Sequence, residues 1–125
     1  MQGIQRPLSP YWIYRWRITM WLSSLHRITG LLLSAGAIAL AVWLIAIAGG
    51  PQSYAAVQDV FAAGWFKVLL VGWTFSFFLH LANGVRHLAW DVGAGFDPKT
   101  INASGLTVIV VAVLATAAFS WLAIL

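Results

Sequence analysis

His80, Asn83, Arg86 and His87 stand near the end of a run that is otherwise apolar enough to cross a membrane. Ionisable side chains are costly in hydrocarbon and mark functional positions when they occur there. The two histidines are seven residues apart, which returns them to within about 20° of one helix face. Ser76 and Asn83 share that face, and Gly84, one turn past His80, leaves space beside the helix for a flat ring. Imidazoles so placed can ligate iron through nitrogen, or pass protons along His80, His87 and Asp91.

A second polar group lies upstream, where Ser23, Arg27, Gly30 and Ser34 recur at helical spacing, with His26 about 60° to the side. An arginine near a helix end can simply snorkel to headgroups. Beside Ser23 and His26, however, Arg27 completes a set of donors for a carbonyl oxygen or a carboxylate. At 1.5 Å per residue His80 lies roughly 15 Å from the helix end near Trp90, close to the middle of a ~30 Å core, and His87 lies within about 5 Å of that end. A neutral midplane histidine suits an iron ligand, while His26, Arg27, Arg86 and His87 near the edge suit anionic propionates. The expectation is a haem b standing across that half of the membrane.

A single intramembrane histidine can also do no more than hydrogen-bond a neighbouring helix. Only three histidines occur, so a bis-histidine site within this chain would have to pair His80 with His26. Because His26 adjoins the Arg27 stripe and lies nearer the interface, the second axial ligand is expected from another polypeptide.

These residues need long helices to hold them, and composition supplies them. Of 125 residues, 62% are hydrophobic and 8% charged, far below the charge of a soluble domain. The reading is an all-α membrane protein of a single domain, residues 1–125, with three transmembrane helices running up, down and up. The expected segments are an interfacial N-terminal stretch (1–17), helix I (18–48), an outer loop with a short interfacial segment (49–63), helix II (64–90), a turn (91–101) and helix III (102–125). In helix III, Ala112, Ala115, Ala117 and Ala118 would permit close packing. The N-terminal segment lacks the apolar stretch of a secretory signal, so helix I is expected to serve as the insertion signal. Zero cysteines exclude disulfides, thiolate metal sites and iron–sulfur ligation by this chain.

The net charge of +4 is not gathered into a nucleic-acid-binding patch. Arg6, Arg15, Arg17 and Arg27 precede or open helix I, and Arg86 and Lys99 flank the second turn, which places the N-terminus and that turn in the cytoplasm and the C-terminus outside.

Three segments in matching order resemble the cytochrome b556 subunit family of succinate dehydrogenase, the larger of two small membrane anchors of respiratory complex II. Arg6–Pro10 (RPLSP) with Ile13–Trp16 (IYRW) is similar to that family's N-terminal signature, Ser23–Gly30 (SSLHRITG) to its helix I signature, and His80–Asp91 (HLANGVRHLAWD) to its haem-ligand segment. The resemblance implies that His80 is an axial haem ligand, with the other supplied by the second anchor. It implies that Ser23 and Arg27 bind quinone, and that His26, Arg27 and His87 border the propionates. It also implies an iron–sulfur subunit and a flavoprotein subunit as partners in a bacterial cytoplasmic membrane, with no succinate-oxidising residue in this chain. One departure is Pro10-Tyr11-Trp12 before Ile13, where many members read Pro-His-Leu-Gln. Two other functions fit the same residues: the anchor of a related fumarate reductase, and a non-redox transporter subunit using the histidines as a proton relay.

Overall fold

A computed structural model describes residues 16–124; the N-terminal signature and most of the expected interfacial stretch lie outside them. Four helices follow in chain order: α1 (Ile18–Ala48), α2 (Pro51–Ala62), α3 (Gly64–Asp91) and α4 (Pro98–Ala123). Helices α1, α3 and α4 are long and apolar enough to cross a membrane. At 1.5 Å per residue even α4 extends ~39 Å, beyond a ~30 Å hydrocarbon core.

Turn chemistry sets the boundaries. Gly50 takes φ +90°, a conformation open to glycine, and Pro51 opens α2 at a position where a missing N–H costs nothing. Between α3 and α4 the chain turns through Gly93 and Gly95, both at positive φ. Asp97 then caps α4, its carboxylate accepting from the backbone N–H groups of Lys99 and Thr100 at 3.0 and 2.9 Å and from the Thr100 hydroxyl. With Pro98 at the first helical position, this cap starts α4 four residues before the expected Asn102. Helix α1 occupies the expected residues, and α3 runs one residue further than expected.

The bundle is polar within and apolar outside. Leu22, Leu79, Val108 and Ala112 form a small core where α1, α3 and α4 meet, flanked by Leu25, Phe75 and Phe78. Gly105 lets α4 approach α1 closely, since a Cβ there would come within 3.1–3.2 Å of Ile18 and Leu22. Around this core the buried residues include Thr29, Thr74, Ser76, Asn83, Arg86, Thr116 and Ser120, whereas Leu31, Ile38, Ile45, Val68, Leu114 and Leu122 face outward. Ser76 and Thr116 donate to carbonyls four residues earlier, which satisfies their hydroxyls inside a low-dielectric environment. In the helix III alanine set, Ala112 is fully buried, but Ala117 and Ala118 point outward because they fall on the opposite arc of α4.

Candidate functional site

The α1–α3 contact brings all three histidines together. His26 on α1 stacks on His80 of α3 with ring centroids 3.8 Å apart and planes 12° from parallel. On its other side His26 stacks near His87 at 5.3 Å and 17°. Gly30 makes room for this column, and Gly84 borders it at ordinary contact distance. A Cβ at Gly30 would lie 3.3 Å from His80 Cε1, and one at Gly84 would lie 3.9 Å from His26 Cε1.

Hydrogen bonds fix two of the rings. His80 Nδ1 is 3.1 Å from the backbone carbonyl of His26 and 3.2 Å from Thr29 Oγ1. A carbonyl can only accept, so Nδ1 carries the proton and the lone pair of His80 is on Nε2. His87 Nδ1 likewise donates to the Asn83 carbonyl at 2.7 Å, and its ring also contacts Trp90. His26 Nδ1 is buried without a hydrogen-bond partner among the described residues. Asn83 is 1% exposed, and both atoms of its amide are unpartnered in the same way.

This arrangement restricts the chemistry. An imidazole lone pair lies in the ring plane, so two rings stacked face to face cannot aim their lone pairs at one metal ion from opposite sides. His26 and His80 therefore do not form a trans pair of axial ligands in this geometry. A proton relay is also poorly served, because the Nδ1–H groups of His80 and His87 end on backbone carbonyls, which cannot pass a proton onward. No cluster of three or more His, Cys, Asp or Glu suited to a metal ion occurs among the described residues. What the site offers is two imidazoles with their lone pairs on Nε2, His80 held at Nδ1 from the neighbouring helix and His87 from its own.

The expected site residues divide by location. His26, His80 and His87 are joined in the stack, and Ser23 and Arg27 sit beside His26 on α1. Arg27 is exposed, and it and Ser23 have no side-chain partner among the described residues. Arg86 is directed elsewhere. It is only 6% exposed, donates from Nε to Ser104 Oγ at 3.0 Å and from Nη2 to the Ile101 carbonyl at 3.1 Å, and lies over the Trp90 ring at 4.1 Å. Its charge thus ties α3 to the start of α4. Thr29 joins the site without being among the residues expected there: its place three residues after His26 is plain in the sequence, but its contact with His80 depends on the α1–α3 register.

A three-span membrane subunit carrying an oriented intramembrane histidine is the class that fold and site define. Residues 2–119 match the succinate dehydrogenase/fumarate reductase transmembrane subunit family, and the chain belongs to it. It is 39% identical over 113 residues to the succinate dehydrogenase cytochrome b556 subunit of Rickettsia felis, covering 90% of this chain and 88% of that one. It is 36% identical over 120 residues to the mitochondrial succinate dehydrogenase cytochrome b560 subunit of Homo sapiens (91% and 69%), and 34% identical over 117 residues to that of Sus scrofa (91% and 69%).

Proposed function

We propose that the chain is the haem b-binding membrane anchor of a succinate:quinone oxidoreductase, with His80 as the one axial ligand it contributes. The observation that carries this reading is the orientation of His80, held at Nδ1 by α1 with Nε2 free. The cytochrome names of its relatives fit a histidine presented in this way. Haem would supply a one-electron redox centre when bound. Gly30 lets the His80 ring sit close against α1, and the exposed Arg27 one residue after His26 is a cation suited to a propionate. His26 and His87 add titratable groups beside it. Arg86 contributes to that edge from further away, as its donors are engaged with α4.

The second anchor subunit would supply the other histidine ligand, as the stacking of His26 on His80 favours a ligand from outside the chain. The iron–sulfur subunit would deliver electrons that a flavoprotein subunit takes from succinate. Ser23 would hydrogen-bond a quinone oxygen, and exposed Arg27 would stabilise the negative charge that develops there on reduction. The chain would lie in a bacterial cytoplasmic membrane with its N-terminus inside and its C-terminus outside. A fumarate reductase anchor is the second reading, favoured by a family description that spans both enzymes.

The test is a reduced-minus-oxidised absorption spectrum of the complex purified with its co-assembling subunits, wild type against His80→Ala. Loss or alteration of the low-spin b-haem bands is expected; identical spectra would overturn the ligand assignment.

A further inference from the structure

We propose that Thr29 is a positioning residue that sets the orientation and donor strength of His80; this rests on the reading of His80 as an axial ligand. Thr29 is 4% exposed and sits one helical turn after His26. Its hydroxyl donates to the His26 carbonyl at 3.0 Å, which fixes the side-chain rotamer and leaves the oxygen's lone pairs free to accept. His80 Nδ1–H lies between that oxygen at 3.2 Å and the same carbonyl at 3.1 Å, so one proton is shared by two acceptors.

The three partners close a triangle in which every polar atom is satisfied. The ring is limited elsewhere as well. His26 covers one face, and Gly30 approaches the Cε1 edge closely enough that no side chain fits between. The imidazole is therefore held at Nδ1 by two acceptors and covered on one face by His26.

A second acceptor on Nδ1–H does more than orient the ring. Acceptors at the outer nitrogen of a ligating histidine fix its tautomer and raise the basicity of the ligating nitrogen. A more basic axial ligand favours the oxidised metal, and such outer hydrogen bonds are among the levers a protein has over haem potential. Removing the Thr29 hydroxyl leaves the carbonyl as sole acceptor, so the ring is held less firmly and donates more weakly.

The experiment uses the whole complex carrying Thr29→Val, which keeps the side-chain shape and deletes the hydroxyl, with Thr29→Ser as rescue. Haem content, the midpoint potential from a redox titration and the low-spin EPR signal are the readouts. The valine variant is expected to retain haem, titrate at a more positive potential and show a changed g-anisotropy, while the serine variant returns toward wild type. Full haem content with wild-type potential and EPR signal would overturn the proposal. Thr29→Ala, which adds no volume, reads the same quantities if the valine complex does not accumulate. His80→Ala separates the two levels: loss of the haem signal there with a wild-type Thr29→Val removes only the role of Thr29, whereas an unaltered b-haem spectrum in His80→Ala removes the reading beneath it.

Discussion

The two ends of the α1–α3 pair are built from opposite materials. At the end where α1 begins and α3 finishes, three imidazoles, a threonine and backbone carbonyls interlock at hydrogen-bond and stacking distances. At the other end lies a pocket of about 760 Å³ lined by Leu32, Leu40, Trp43, Phe66, Leu69 and Trp73, with α2 alongside. The three imidazoles thus gather at one end of the helix pair. The difference lies in what fills each end: at one, Gly30 lets the His80 ring sit against α1 within hydrogen-bond reach of its backbone, and at the other Gly36 lets the bulky Trp73 indole lie against α1 with only apolar contacts.

Breaking each end in turn should give separable results. The largest effect belongs to His80→Ala, which should abolish the b-haem absorption of the purified complex. Arg27→Ala comes next. Losing a charge-assisted hydrogen bond is worth about 1.5–3 kcal/mol, so quinone reduction should fall roughly ten- to hundredfold while reduction of an artificial acceptor at the soluble subunits persists. Equal retention of both activities would remove Arg27 from the quinone site.

Arg86→Met should leave the haem spectrum in place and lower thermal stability. It forfeits the bonds to Ser104 and Ile101, a loss of about 1.5–3 kcal/mol, visible as a lower melting temperature of the detergent-solubilised complex. Gly36→Ala probes the apolar end. A Cβ there would overlap the Trp73 indole, so overpacking of about 1–3 kcal/mol should reduce stability with the haem bands unshifted. A shifted haem spectrum in this variant would show that the two halves are coupled.

The smallest effect is expected at Asp97. The Thr100 hydroxyl, then the backbone N–H groups of Thr100 and Lys99, hold its carboxyl below the usual carboxylate range. A lowered folded value means that the cap contributes stability above the ordinary carboxylate pKa of about 3.9 and loses it as pH falls through the lowered value. Asp97→Asn should flatten this acid limb of the melting-temperature profile and leave neutral pH nearly unaffected.

Much of this architecture is legible in the amino-acid sequence. The C-terminal end of α1 follows from the uncharged run after Arg27 closed by Gly49, Gly50 and Pro51, and the common face of His80 and His87 follows from their seven-residue spacing. The start of α4 is less accessible, since Asp97 reads as a cap only when weighed with Pro98 against the glycines preceding it. The contacts of Arg86 and Thr29 lie beyond sequence reasoning for one reason: which neighbour a helical side chain meets depends on how two helices slide and rotate against each other. Hydrophobic periodicity specifies a face, but not the register at which Arg86 meets Ser104 or Thr29 meets His80.

The carbonyl that holds His80 belongs to a residue 54 positions earlier in the chain. A nascent α1 carries the acceptor without the ring, and an isolated α3 carries the ring with nothing to stop it turning. Orientation of the His80 ring is therefore a product of two spans meeting, and on the reading proposed above, capture of a cofactor with this geometry would follow, in the order of biosynthesis, the insertion and docking of both.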